Sequence, residues 1–241
     1  MENSILRWLS AVVVVQVLAA CAPTPGGLSD PISRKAQWHA TAGGDDLREG
    51  CAAGRPSRWR LVYNAVWDEQ VRVYDIERLP AGEGARLVAT VVRGAPRVLQ
   101  AYLMQLGGRS TTRVAESRLS EPQLAALLRA VHDAGFARRP EEGMRLASWD
   151  FYWLASACVD GAWHLNAWRR DEPGFQRLGF AELLFALDQT GVEPNRPRDI
   201  DPARRALEAG EQAGGGGRGS RDESFEFLVR DGRIWRPGFG K

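Results

Sequence analysis

Two apolar runs joined by Asp160-Gly161 constrain the fold more than any other part of the chain. The first run covers residues 151–159 and the second covers residues 162–168. An Asp-Gly pair between two apolar runs is the strongest short signal for a β-hairpin, because both residues accept the positive φ that a two-residue turn requires. Both faces of this hairpin carry apolar side chains, so we expect it to be central in a sheet and covered on both sides.

Upstream segments also have the composition of strands. Residues 58–66 alternate with the period of a strand and residues 71–76 are rich in β-branched side chains, so the two should form a hairpin. Residues 87–92 form a third β-branched run, and residues 110–114 are compatible with a short strand. Residues 98–106 fit a helical stripe and a strand equally well, and the sequence leaves both open.

Two helices are predicted among the strands. The first begins at Ser120, which forms a capping box pattern with Gln123, and it ends before Gly135. Its apolar stripe consists of Leu124, Leu127, Leu128 and Val131. The second helix should cover residues 180–190, with Gly191 as its stop.

Strand runs joined by hairpins predict an α+β fold, in which an antiparallel sheet carries two or three packed helices. The globular domain should cover residues 51–197. Residues 21–50 contain many Pro and Gly and few apolar residues, so we expect a flexible tether there. Residues 198–241 should form a flexible Gly-rich tail with a possible terminal hairpin that turns at Asp231-Gly232.

The N-terminal segment has the layout of a secretory signal. Arg7 precedes an apolar stretch over residues 8–18, and small residues then lead to Cys21. A membrane-spanning helix needs about 20 apolar residues, roughly twice this length. The run Leu18-Ala19-Ala20-Cys21 resembles the lipobox of bacterial lipoproteins. That resemblance implies that residues 1–20 are removed and that Cys21 is diacylated on sulfur and acylated on its new amino group.

The same resemblance implies a location. Two or more acyl chains anchor a protein stably, so the mature chain should be tethered to a membrane through Cys21. Ala22 stands where an aspartate often marks inner-membrane retention in Gram-negative lipoproteins. We therefore expect a cell-envelope protein on the outer membrane that faces the periplasm. The rest of the chain resembles small uncharacterised bacterial lipoproteins only in general character.

Two of the three cysteines remain after lipidation of Cys21. In an oxidising periplasm Cys51 and Cys158 are expected to form a disulfide, with two separate buried thiols as the alternative. Neither lies in a C-x-x-C pair, so we expect no metal site. Cys158 is also near His164 in sequence, but a two-residue turn pairs Cys158 with Trp163. Cys158 and His164 then point to opposite faces, which argues against a nucleophilic Cys–His pair.

Other catalytic patterns are absent from the sequence. It contains no H-E-x-x-H, no G-x-S-x-G and no P-loop. Carboxylates lie at strand ends and turns, where nothing in their spacing selects a catalytic pair. They are Asp68, Glu69, Asp75, Asp150, Asp160, Asp171 and Glu172. The pairs Arg138-Arg139 and Arg169-Arg170 are candidate contacts for acidic groups of lipid or cell-wall polymer, with a solvated surface as the alternative.

Composition narrows the function classes. The net charge of +2 gives no electrostatic case for nucleic acid. Nine tryptophans predict a substantial core, with a ligand-stacking surface as the alternative. We expect a non-enzymatic domain without a cofactor that binds an envelope protein or a cell-wall component. A small-ligand binder and an enzyme acting on envelope polymer are the alternatives.

Overall fold

The computed structural model describes residues 38–80, 82–93, 111–201 and 225–235, and these residues form the predicted α+β fold. The strands are β1 Arg58–Ala65, β2 Gln70–Arg78, β3 Ala85–Arg93, β4 Thr111–Leu119, β5 Arg145–Ala147, β6 Phe151–Val159, β7 Ala162–Arg169, β8 Glu226–Arg230 and β9 Arg233–Trp235. The helices are α1 Asp45–Glu49, α2 Glu121–Asp133 and α3 Gly179–Leu187, with a short 3₁₀ helix at Phe175–Arg177. Within these ranges, none of the helices has the length and apolar character needed to cross a bilayer.

Two antiparallel sheets organise these elements. The large sheet has six strands in the order β4-β3-β2-β1-β6-β7, and the small sheet has the order β5-β8-β9. The first face of the large sheet packs against α2 and α3. The opposite, second face packs against the small sheet and the N-terminal helical residues, so the sheet separates two apolar cores.

The hairpin predicted from Asp160-Gly161 is confirmed in its register. Cys158 pairs with Trp163, and Ala157 pairs with His164. Strand β6 is buried on both faces, as its continuous apolar run predicts. The prediction that the whole hairpin is central is wrong, because β7 is an edge strand. The end of α2 lies beside that edge, where the Trp168 indole N–H donates to the carbonyl oxygen of Ala134 at 2.9 Å.

The helical predictions are confirmed for α2 and corrected for α3. The Ser120 hydroxyl accepts from the backbone N–H of Gln123, and the Gln123 side chain accepts from the N–H of Ser120. Helix α3 ends at Leu187, before the predicted stop at Gly191. Asp188 takes an extended conformation there because its carboxylate binds Arg72 and Tyr74 on β2. A side-chain interaction at the sheet therefore ends this helix, not a glycine.

The expected flexible tether is shorter than predicted. Residues 38–43 are helical and lead into α1. Trp38 is 0% exposed in the second core, and Leu47 is also buried. Burying one side chain of this size contributes about 1.5–3 kcal/mol or more, which outweighs the polar character of the flanking residues. The globular domain therefore begins before residue 51.

The predicted tail also contains part of the fold. Residues 225–235 form the hairpin at Asp231-Gly232, and β8 pairs with β5 to complete the small sheet. Phe227 and Val229 are fully buried against the second face, so this hairpin closes the second core. Several predictions lie outside the described residues: the signal at 1–20, Cys21, the tether at 21–37, the segment 98–106 and the Gly-rich stretch at 214–219. Strand β4 begins at Thr111 and is longer than the predicted strand at 110–114.

Candidate functional site

The two predicted cysteine partners form a disulfide that attaches the N-terminal helical residues to the large sheet. Cys51 and Cys158 are joined at an S–S distance of 1.99 Å, with a Cα–Cα distance of 5.4 Å. The turn of the β6–β7 hairpin packs beside the bond. A Cβ atom on Gly161, whose φ is 80°, would lie 2.6 Å from the backbone nitrogen of Ala53. Glycine is therefore favoured at position 161 both by the positive φ of the turn and by the close approach of the Ala53 backbone.

Because of this disulfide, Cys158 has no free thiol that could act as a nucleophile. Its sulfur is in the disulfide, and His164 projects from the other face of the hairpin. The His164 ring lies 6.0 Å from the ring of Phe136, measured between centroids. The structure therefore does not bring Cys158 and His164 together as a dyad.

Arg60 holds the N-terminal helical residues at a second point. Its Nη1 is 2.7 Å from Asp46 Oδ1 in α1, and its Nε is 2.6 Å from Asp75 Oδ1 on β2. Burial acts to lower the pKa of Arg60, but its attraction to the two carboxylates outweighs this and raises the pKa. Burial acts to raise the pKa of Asp46, but the hydrogen bond and charge of Arg60 hold it below its usual value. The disulfide, this ion pair and the buried Trp38 thus fix residues 38–50 to the domain.

A second buried charge, Arg72, fastens the segment that follows α3. Arg72 is fully buried, and its Nη1 lies 2.5 Å from Asp188 Oδ2. Its Nη2 donates to the carbonyl oxygen of Val192, and Tyr74 Oη donates to Asp188 at 2.9 Å. Burial raises the pKa of Tyr74. The contacts join β2 to residues 188–192 and stabilise the fold.

Sequence reasoning missed this network, although the sequence holds a signal for it. Arg72 stands between Val71 and Val73 on the face of β2 that also carries Tyr74. A charge on the core face of a strand needs a buried partner. The pattern therefore indicates that a carboxylate from elsewhere in the chain must pair with Arg72, but it does not identify that carboxylate as Asp188.

The predicted carboxylates are engaged in ion pairs or lie in turns. Asp75 binds Arg60, Asp150 binds Arg170 at 2.6 Å, and Glu69 binds Arg198. Asp171 and Glu172 both lie beside Arg169, and Asp160 occupies the β6–β7 turn. In the described residues these carboxylates therefore have arginine partners or turn positions, which do not select a catalytic pair among them. In the described part of the chain, no group of three or more His, Cys, Asp or Glu side chains is placed to hold a metal ion.

The remaining basic candidates differ in their surroundings. Arg169 and Arg170 have the carboxylate neighbours just given, whereas Arg138 and Arg139 are exposed. The Arg138 side chain lies over Gly135, at the end of α2. These arginines do not form a common site with Arg60 or Arg72.

Most tryptophans fill the two cores, as the composition predicts. The buried ones are Trp38, Trp59, Trp67, Trp149, Trp153 and Trp168. Trp153 stacks on Tyr63 with 4.7 Å between ring centroids, and Trp38 lies 5.1 Å from Trp67. Trp235 is the exposed tryptophan of the described residues, at 38% exposure. Most of the described indole rings are therefore used for packing instead of presenting a surface to a ligand.

One exposed surface lies at the β4 end of the second face of the large sheet, and we call it the β3–β4 face. It consists of Val88, Thr90, Thr112 and Val114, with Arg86, Glu116 and Arg118 at its rim. Val114 is 62% exposed, the most of any large apolar side chain in the described residues. Arg86 forms a two-pronged ion pair with Glu116 at 2.8 Å, which lowers the pKa of that exposed carboxyl group. The surface mixes β-branched side chains with paired charges.

A second exposed surface is the outer face of the small sheet. The cross-strand register aligns Arg145, Leu228 and Trp235 in one row, and it places Arg230 opposite Arg233. The opposite side of the same sheet carries Leu146, Phe227, Val229 and Ile234, which face the second core. The small sheet thus has one apolar inner face and one outer face of arginine, leucine and tryptophan.

Comparison with protein family models, curated proteins and solved structures gave no match for this chain. Functional inference therefore depends on the residues and the geometry given above.

Proposed function

We propose that this protein is a lipid-anchored domain of the cell envelope that acts by binding and not by catalysis. The observation that carries the proposal is the Cys51–Cys158 disulfide. Disulfides persist in oxidising compartments and are rare in the cytosol. A domain with this bond, preceded by the lipobox-like run that ends at Cys21, has the features of an exported protein held at a membrane by acyl chains.

The location follows from the same residues. Export followed by acylation of Cys21 leaves the domain outside the cytoplasm, and Ala22 favours the outer membrane with the domain in the periplasm. The disulfide and the Arg60 ion pairs connect residues 38–50 to the large sheet, so the chain that leads to Cys21 joins the domain at a fixed point.

The partner is another envelope protein, and the β3–β4 face is the surface that contacts it. Exposed apolar side chains surrounded by a polar rim are typical of protein interaction sites. Val114 supplies the exposed apolar centre, and the Arg86–Glu116 and Arg118–Glu83 pairs supply the rim. The buried tryptophans support binding by this face over stacking of a small ligand, since they are committed to the cores.

The anchor is tested by Cys21→Ser in intact cells. The wild-type chain should fractionate with membranes, and its N-terminal peptide should carry the mass of the acyl chains. The variant should be released from the membrane because it lacks the thiol that accepts lipid. A variant that stays membrane-bound after removal of residues 1–20 would contradict the lipid-anchor proposal.

The partner surface is tested by site-specific photocrosslinking in the same cells. A photoreactive residue in place of Val114 should give a discrete adduct with one envelope protein, and the adduct should weaken in the Cys21→Ser background. The matched control is a photoreactive residue in place of Ala125, which is exposed on α2. Equal adducts from both positions, or none from position 114, would refute the β3–β4 face as the binding surface.

A further inference from the structure

We propose that the outer face of the small sheet lies against the phospholipid surface of the membrane that carries the anchor. This inference depends on the proposed lipid anchor at Cys21, and it adds an orientation to it. The residues that would contact the bilayer are Arg145, Leu228, Arg230, Arg233 and Trp235.

The chemistry of this face matches a membrane interface. Tryptophan is favoured at the level of the lipid head groups because its ring is apolar and its N–H is polar. Arginine can extend its alkyl chain along an apolar surface while its guanidinium binds phosphate. Trp235 and Leu228 form the apolar centre, and the side chain of Arg145 is 70% exposed beside them.

Two of the acidic groups near this face, Glu226 and Glu142, have partners within the protein, whereas Asp231 is exposed in the turn. Glu226 binds Arg145 at 3.0 Å, and its side chain is only 20% exposed. Glu142 accepts the backbone N–H of Asp231 at the hairpin turn, at 3.1 Å. Arg230 and Arg233 lie next to that turn on exposed positions. Arg145 is paired with Glu226, so the guanidinium groups of Arg230 and Arg233 are the ones that would bind lipid phosphates beside the exposed tryptophan.

The N-terminal helical residues fix the point at which the anchored chain joins the domain. His39 packs edge-on against Phe227, with 4.8 Å between ring centroids, and Trp38 packs against Trp67. Phe227 lies on the inner side of the small sheet, so the chain that leads to Cys21 enters the domain beside this sheet. Residues 22–37 can span at most about 60 Å even when fully extended. The lipid anchor therefore keeps the domain within that distance of the bilayer, and contact by the outer face of the small sheet would set its orientation.

The test uses the full-length protein purified from cells and placed in nanodiscs of phosphatidylethanolamine and phosphatidylglycerol. A fraction of the lipid carries a nitroxide that quenches tryptophan at short range. The wild-type protein should be quenched, and Trp235→Phe should lose most of that quenching. The matched control, Trp168→Phe, removes a buried ring of the first core and should leave the quenching unchanged. The double variant Arg230→Glu/Arg233→Glu should reduce quenching without changing any tryptophan.

The outcomes separate this inference from the proposed function. The mass of the Cys21 peptide is measured first, and an unlipidated peptide would overturn both. A lipidated protein whose quenching is equal in wild type and Trp235→Phe would overturn only the orientation. Shielding of Trp235 from aqueous acrylamide in intact envelopes but not in nanodiscs would assign this face to a protein partner, which also overturns the inference.

Discussion

Removing the disulfide should cost this domain much of its stability without unfolding it. The bond closes a loop with a sequence separation of 107 residues. The loop-closure relation gives a loss of about 4.8 kcal/mol in the free energy of unfolding when such a cross-link is removed, since the unfolded chain becomes freer. The double variant Cys51→Ala/Cys158→Ala deletes only two sulfur atoms from the packing. The Arg60 ion pairs and Trp38 remain to hold residues 38–50 in place.

The assay is urea unfolding followed by tryptophan fluorescence, with and without a reductant. The double variant should lose about 4–5 kcal/mol, which corresponds to a melting temperature lower by about 10–20 °C. Its m-value should rise because the unfolded chain exposes more surface. Reductant should bring the wild-type protein to the stability of the variant and leave the variant unchanged. A loss below about 1 kcal/mol, or a reductant effect on the variant, would refute the argument that this bond acts on the unfolded chain.

Two further predictions concern buried and half-buried charges. Asp188→Ala should destabilise the fold by about 3–5 kcal/mol because it leaves Arg72 charged and buried without its partner, whereas Arg72→Met/Asp188→Leu should lose much less. Equal losses in the same urea assay would show that the charge pairing is not the cause. The second prediction concerns acid pH. Arg60 lowers the pKa of Asp46 in the folded state, so this ion pair stabilises the fold at pH values above the pKa of Asp46 in the unfolded chain. That stabilisation is lost as the pH falls through the pKa of Asp46 in the folded state. Stability should therefore decline below about pH 4, near the unfolded pKa of an aspartate, and an unchanged decline in Asp46→Asn would argue against this assignment.

The parts of the fold that the sequence predicts are those with a local physical cause. The β6–β7 register follows from Asp160-Gly161, since a two-residue turn leaves one pairing that keeps apolar side chains on matching faces. Helix α2 is predicted from Ser120 and Gln123, whose side chains accept hydrogen bonds from backbone N–H groups that lack a partner in the first turn of a helix. In both places the cause and its consequence lie within a few residues of each other.

The second core could not be predicted, because its strands are short and their partners lie far away in the sequence. Strands β5 and β9 have only three residues each, which is too short for a period to be read from the sequence. Strand β5 finds its partner β8 about 80 residues later, as the Arg145–Glu226 pair shows with its separation of 81. Neither segment reveals its partner from its own composition. Their pairing depends on Phe227 and Val229, which must be buried somewhere.

The early end of α3 is another case in which a distant contact, invisible in the local sequence, decides the structure. Gly191 is a reasonable stop by local rules, but Asp188 leaves the helix first because Arg72 requires a carboxylate. The cost of burying a charge without a partner exceeds the gain from one more helical turn. A tertiary requirement on β2 therefore overrides the local signal.

The two exposed surfaces lie at different distances from the strand that carries the disulfide, but on the same side of the large sheet. The disulfide joins the N-terminal helical residues to β6, while Val114 lies on β4 at the far end of the order β4-β3-β2-β1-β6-β7. Strands β3 and β4 lie three and four strand spacings from β6, so at about 4.8 Å per spacing the β3–β4 face begins about 14 Å from the attachment point along the sheet. The small sheet packs on the second face of the large sheet, and the β3–β4 face is another part of that same face. Membrane contact by the small sheet and protein binding by the β3–β4 face therefore compete for one side of the domain, and the quenching and photocrosslinking experiments distinguish between them.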